Sequence, residues 1–369
     1  MTDPLFVKGE QFFKDIQPEC RSDLHLVIVS HLLDGPQIFL TALQSFAHVA
    51  MVIPKPKSLN RKTLEHTEQR VSVLIKNRKQ LESPAVVTAV LNDAVPSGDM
   101  VVVDIGGYFA SAMEEPLPGL KANLLGVVEV TENGFQRYQQ LDRLGFPVVS
   151  LARSPLKGPE DYLTGQSIVY SAEALMRSCH KIMNGDSAVV FGYGKIGRSI
   201  AKALHAKNIN TKVVEIDPIR AIEAHSRGFD LIDKLEALKG SDVVFCATGN
   251  QSLSKHDFAQ LKNGAFIFSV TSSDDELDLG LVGDSFTVTE INPYISRYEQ
   301  LGQYFYLANR GDAINFIHNA ELGPYIFLLQ GELMRAIEFL CAEPHAPEIT
   351  ELPDDCRKEL ASKWLVYFG

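Results

Sequence analysis

Three glycines, Gly192, Gly194 and Gly197, stand in G-x-G-x-x-G spacing within the stretch VVFGYGKIGRSIAKAL. An apolar run enters this turn and a helical pattern leaves it. The first glycine permits a tight turn, the second lets phosphates approach the backbone, and the third lets helix and strand pack closely. Lys195 and Ile196 sit at the start of the helix, whose free N–H groups and partial positive charge suit a pyrophosphate. Glu215 closes the next apolar run, TKVVEI, where an acid bonds the hydroxyls of an adenosine ribose. The pattern predicts a bound dinucleotide, NAD. An acid at Glu215 disfavours the extra phosphate of NADP, and Arg220 close by softens that preference.

These residues need a scaffold of strands and helices to hold them. SAVVF, TKVVEI, DVVFC and AFIFS read as strands with helices between them. The first 150 residues show the same alternation without a nucleotide fingerprint. LHLVIVS, HVAMVI, VSVLI, MVVVD and LLGVVEV read as strands, and PQIFLTALQSF as a helix. Unbroken apolar runs predict parallel strands covered on both faces. A Pro- and Gly-rich loop, SLARSPLKGPEDY, interrupts the pattern. Amphipathic helices are predicted over 163–183 and 323–340, and a short one in ELASKWLVYFG. The fold class expected is α/β, a Rossmann-type NAD domain with a parallel sheet plus a second α/β domain of substrate type. The boundaries expected are 1–160 for the substrate-type domain, 161–318 for the NAD domain, and 319–369 for a helical return completing the first.

The 369 residues are 45% hydrophobic and 22% charged, ordinary for a globular chain. A net charge of −11 argues against nucleic acid or an anionic membrane as partner. No apolar run approaches the roughly 20 residues that span a bilayer. MTDPLFVKGEQFF lacks the basic-then-apolar pattern of a secretion signal. Five scattered cysteines, Cys20, Cys179, Cys246, Cys341 and Cys356, show no metal-ligand spacing. The expectation is a cytoplasmic protein with reduced thiols, no metal, and a small molecule as substrate.

The segments GYGKIGRSIAKAL, VVEIDPIRAIEA and ATGN resemble those of the S-adenosylhomocysteine hydrolase family. VVVDIGG, GVVEVTENGFQRY and SPLKGPEDYLTG are similar to the family's aspartate-glycine turn, its three-threonine segment and its catalytic loop. The resemblance implies an N-terminal substrate domain, a central NAD domain and a C-terminal return. In that chemistry bound NAD takes a hydride from a ribose carbon, which acidifies the neighbouring C–H and allows the 5′-thiol to leave. The resemblance places Lys157 at the hydroxyl being oxidised, with Asp161 as its acidic partner. Such a lysine must be partly desolvated to have a usable pKa; by spacing alone the two would be a solvated pair on a loop. The resemblance also implies cofactor contacts from Thr131, Glu132 and Asn133, the last two replacing threonines. Thr248, Gly249 and Asn250 would lie over the dinucleotide, and Asn315 at the nicotinamide amide.

Departures from the family fall on its elimination chemistry. Ile105 stands where the family has an acid/base aspartate, Val130 where it has a glutamate on the substrate ribose, and Ser272 where it has a histidine. No early substrate-site histidine finds a clear match near His31 to Gly35, and LGPY lacks the G-H-P histidine. The sequence ends at Gly369, about where the family's cofactor-covering tail would begin, so a less enclosed cofactor is expected. Each group that moves a proton at a reacting atom contributes about 10²- to 10⁴-fold. The expectation is therefore an NAD-dependent enzyme that oxidises a hydroxyl of a small sugar- or nucleoside-like substrate without hydrolysing S-adenosylhomocysteine. The alternative is a non-catalytic NAD-binding paralogue with a regulatory role. A homo-oligomer is expected, a dimer before a tetramer, because the helix over 323–340 carries more apolar positions than one intrachain contact needs.

Overall fold

The computed structural model describes residues 3–19, 21–271, 276–280, 282–318 and 323–369. The chain divides into two compact units, residues 1–157 with 323–369, and residues 158–322. The first unit contains β1 (Leu24–Leu32), β2 (His48–Leu59), β3 (Ser72–Val73), β4 (Asp99–Asp104), β5 (Asn123–Glu129) and β6 (Val148–Ser150). The second contains β7 (Ser187–Phe191), β8 (Asn210–Val214), β9 (Asp230–Leu231), β10 (Val243–Cys246), β11 (Ala265–Ser269), β12 (Thr287–Asn292), β13 (Ile295–Gln300) and β14 (Gln303–Ala308). The chain then returns to the first unit as the helix Pro324–Ala342, the short strand β15 (Ile349–Thr350) and the helix Asp354–Phe368.

The first unit's sheet runs β15-β6-β5-β4-β1-β2-β3, parallel at every pairing. The apolar run of β4 shows why. Val101 and Val103 join the core with Phe12, Phe327 and Ile337, while Met100 and Val102 join the opposite core with Leu91 and Phe109. Both faces are covered, so both sets of side chains are apolar. Chain order reverses between β1 and β4, and the carboxyl ends of parallel strands at such a switch form a ligand crevice.

The second unit's sheet runs β12-β13-β14-β11-β10-β7-β8-β9. Its switch lies between β7 and β10, the doubly wound order of a dinucleotide-binding fold. The sheet is mixed rather than wholly parallel, because β13 runs antiparallel to β12 and to β14. Two positive-φ residues, Leu301 and Gly302, turn β13 into β14. A hairpin of this kind needs no covering helix, so residues 287–291 of β12 are all exposed.

Other boundaries also differ from expectation. The run VSVLI pairs only at Ser72 and Val73. The helix expected over 163–183 spans Gly158–Ser178. Gly158 and Pro159 fit its first turn, where a missing N–H costs nothing. The helix expected as an oligomer surface, Pro324–Ala342, buries Phe327, Leu328, Leu333, Met334, Ile337 and Leu340 in its own unit's core. Those positions are filled within the chain, which removes the reason for expecting an interface on that helix. No helix among the described residues is long and apolar enough to cross a membrane.

Candidate functional site

The nucleotide cradle forms where β7 ends. Gly192 has φ +89°, and a Cβ there would lie 2.8 Å from the Ala247 carbonyl oxygen and 3.0 Å from Thr248 Cα. The turn thus needs glycine both for its conformation and for its seat against the end of β10. A Cβ on Gly197 would collide with the Gly192 carbonyl. Gly194 caps the helix Lys195–Ala206, and only Arg220 Nη1, at 3.8 Å, lies near its Cβ position. That open backbone is where phosphates can approach, and the Arg220 guanidinium beside it adds positive charge. Ile196 is partly buried against the core of this unit.

Glu215 sits beside the same turn. Its carboxylate accepts from Tyr193 N at 2.5 Å and Asp217 N at 2.8 Å. Asp217 in turn caps the helix Pro218–Ser226 through Ile219 N and Arg220 N. The acid is thereby fixed at the adenosine side of the sheet. Across the switch, the Thr248-Gly249-Asn250 turn follows β10, and Asn250 N donates to Thr248 Oγ1 at 3.1 Å. Asn315 lies in the short turn Ile314–Phe316, after the consecutive left-handed residues Asn309 and Arg310. Its Oδ1 is buried and accepts no hydrogen bond among the described residues. A buried amide oxygen of this kind matches a ligand amide N–H.

Asp161 lies in the first turn of the helix Gly158–Ser178, with a side chain only 8% exposed, and its Oδ2 is 3.4 Å from Lys195 Nζ. Structure therefore joins the expected catalytic acid to the lysine of the glycine fingerprint. Lys157 belongs to the other unit, at the end of the turn Pro155–Lys157, half-buried. That turn is anchored by Ser154, whose hydroxyl accepts from Leu156 N at 3.1 Å and donates to Glu332 Oε1 at 2.7 Å. Arg357 Nε donates to the same Glu332 oxygen at 2.9 Å.

In the first unit, the residues read through the resemblance as cofactor contacts have local partners. Thr131 caps the helix Glu132–Gln139, accepting from Gly134 N, and its hydroxyl donates to Glu129 Oε1 at 2.7 Å. Glu132 forms an ion pair with Arg153 at 2.7 Å. Asn133 is half-buried in the same helical turn. Ile105 and Val130 are partly buried against the apolar core. Ser272 lies outside the described residues.

Sequence reasoning missed the carboxylates immediately before those two apolar positions. Asp104 is fully buried and accepts from Tyr108 N, Phe109 N and the Tyr138 hydroxyl at 2.8, 3.0 and 2.8 Å. Glu129, also fully buried, accepts from Gly106 N, Gly107 N and Thr131 N at 3.2, 3.0 and 2.6 Å. Burial, then the charge of Asp104, pushes the Glu129 carboxyl up to about 8 against those donors. Burial raises Asp104 as well. Next to them, His31 shares a 2.5 Å hydrogen bond with Ser58 Oγ, and burial followed by the charge of Lys55 lowers its pKa well below 6.5. The imidazole is neutral at pH 7. Lys55 Nζ lies 6.0 Å from the Tyr108 ring centroid and 3.2 Å from a Cβ position on Gly106. These side chains gather at the carboxyl ends of β1, β2, β4 and β5, at the switch of this sheet. The only sequence signal for them was the end of each apolar run.

Four cysteines, Cys179, Cys246, Cys341 and Cys356, are free thiols, and no cluster of three metal-ligating side chains occurs among the described residues. The close seat of Gly192, the open Gly194, the fixed Glu215 and the buried Asn315 oxygen fit a dinucleotide with a carboxamide. The second unit is the NAD-binding domain of a Rossmann-type α/β protein.

Comparison with known proteins specifies the family. The family model described as S-adenosyl-L-homocysteine hydrolase, NAD binding domain, matches residues 162–319. Adenosylhomocysteinase of Thermotoga maritima is 31% identical over 285 residues, covering 73% of this chain and 68% of that one. Adenosylhomocysteinase of Thermococcus kodakarensis is 30% identical over 250 residues, covering 64% and 59%. S-inosyl-L-homocysteine hydrolase of Methanopyrus kandleri is 28% identical over 284 residues, covering 73% and 66%. The chain belongs to the S-adenosylhomocysteine hydrolase family. Matched regions span 59–68% of the length of these relatives.

Proposed function

We propose that the protein uses NAD to oxidise a hydroxyl of a small polar, sugar- or nucleoside-like substrate, and that it does not hydrolyse S-adenosylhomocysteine. The observation that carries this reading is an asymmetry. The second unit keeps its dinucleotide cradle, while Ile105 and Val130 pack into an apolar core where the family places an acid/base aspartate and a ribose-gripping glutamate. Elimination of a thiol needs proton movement at the leaving atom; oxidation of a hydroxyl needs less. Bound NAD supplies the hydride acceptor. Lys157, as the neutral amine, would take the proton of the hydroxyl being oxidised. The relative named for S-inosyl-L-homocysteine supports variation of the substrate within the family.

A second reading is an NAD-binding paralogue without catalysis, to which the apolar Ile105 and Val130 at the family's acid/base and ribose-gripping positions also point. Absorbance near 340 nm separates the two. Polyols, sugars and nucleosides are added to the NAD-loaded protein. The substrate is expected to reduce NAD, and Lys157→Met to abolish reduction while NAD affinity stays within about threefold. Adenosine release from S-adenosylhomocysteine, reduction that survives Lys157→Met, or no reduction across the panel would each overturn the proposal.

A further inference from the structure

Glu276 is 1% exposed and lies in the acidic stretch SSDDELD. Its carboxylate is a hub for two loops at the carboxyl edge of the second unit's sheet. Oε1 accepts from Thr248 N at 3.0 Å and from the Ser252 hydroxyl, and Thr248 Oγ1 lies 3.0 Å away. Oε2 accepts from Gly249 N at 2.8 Å and from the Thr271 hydroxyl at 2.6 Å. Thr248 and Gly249 follow β10; Thr271 follows β11. Both sides of the carboxylate therefore face donors, and an amide in its place would turn an NH₂ toward them.

The position of that loop matters for the cofactor. Gly192, the turn glycine of the fingerprint, seats directly against Ala247 and Thr248. In a doubly wound sheet the half containing β7 and β8 holds the adenosine nucleotide, and the half beyond the switch, beginning with β10, holds the other nucleotide. We infer that Glu276 is a positioning residue for the nicotinamide half of NAD, acting through the Thr248-Gly249-Asn250 turn that it holds by both oxygens. It touches no ligand itself. The adenosine half depends on other parts: the Gly192–Gly197 turn and Glu215, whose carboxylate is held by Tyr193 N and Asp217 N.

The inference rests on NAD binding in this unit and makes a differential claim. A residue important only for folding would weaken every nucleotide alike. A residue that shapes the nicotinamide half would weaken NAD and spare AMP, which occupies the adenosine half alone.

The test measures NAD by calorimetry and AMP by ligand-observed NMR on the wild-type protein, Glu276→Gln and Thr271→Val. Wild type must bind both ligands; if it binds neither, the cofactor assignment itself is wrong. With wild-type binding in place, Glu276→Gln is expected to weaken NAD at least tenfold and leave AMP within about twofold. Thr271→Val removes one donor to Oε2 and is expected to weaken NAD about threefold, again sparing AMP; it decides the matter if Glu276→Gln does not fold. Equal loss of NAD and AMP, or unchanged NAD affinity, would overturn the inference.

Discussion

Asp161 and Lys195 bring the starts of two helices together, with Oδ2 of the acid 3.4 Å from Nζ of the lysine. One residue opens the helix Gly158–Ser178; the other follows the second glycine of the nucleotide fingerprint. A charge at the cofactor turn is thus paired with the acid that the family resemblance assigns to catalysis.

This pairing predicts energetic coupling. Lys195 is 39% exposed, so the pair is partly screened and its value is that of a surface-edge ion pair, roughly 0.5–1 kcal/mol. A double-mutant cycle with Asp161→Asn and Lys195→Met, read by urea denaturation, is expected to show non-additivity of that size. Strict additivity would mean that the contact contributes nothing.

A second prediction concerns Glu332 and Arg357, whose side chains are 0% and 7% exposed and 2.9 Å apart. Arg357→Met leaves the Glu332 carboxylate buried, with the Ser154 hydroxyl as its remaining donor among the described residues. Breaking one side of a buried pair costs about 3–5 kcal/mol, whereas replacing both sides with apolar groups is often neutral. Chemical denaturation of Arg357→Met should show that loss, and the Glu332→Leu/Arg357→Met double variant should recover most of it. A double variant as unstable as the single one would count against the ion-pair account.

The third prediction is a pH dependence. Burial, then the charge of Asp104, pushes the Glu129 carboxyl of the folded protein up from the ordinary 4.5 to about 8. Between those values the folded state holds the extra proton, so its contribution to stability is full below pH 4.5 and is lost as pH rises through 8. Asp104 shifts in the same direction. Thermal denaturation should therefore show a higher Tm at pH 6 than at pH 8.5, by roughly 2–4 °C for each kcal/mol lost. In Glu129→Gln the slope over this range should flatten. An unchanged slope in the variant would place the titration elsewhere.

The parts of this protein legible in its sequence are those set by local pattern. Gly192, Gly194 and Gly197 announce themselves because a tight turn and a close helix restrict the residue type over a few positions. Strand β4 is legible because burial on both faces makes it continuously apolar. Glu276 was not legible, since an acid in S-S-D-D-E reads as solvated until β10 and β11 bring four donors to it. Asp104 and Glu129 were hidden in the same way, each looking like the polar end of a strand. Thr131 carries a further role that its position in the sequence did not show: its hydroxyl caps a helix and holds Glu129.

The strand β15 pairs with β6 in a unit whose chain is interrupted by the whole of the other unit. On the ribosome, residues 158–322 are a continuous stretch and can close their sheet before synthesis ends. Residues 1–157 are joined later by the helix Pro324–Ala342, whose Phe327, Met334 and Ile337 share a core with Phe12, Leu26 and Val103. The core on that face, begun by Phe12, Ile16 and Leu43, is therefore completed only after the whole of the other unit has been made.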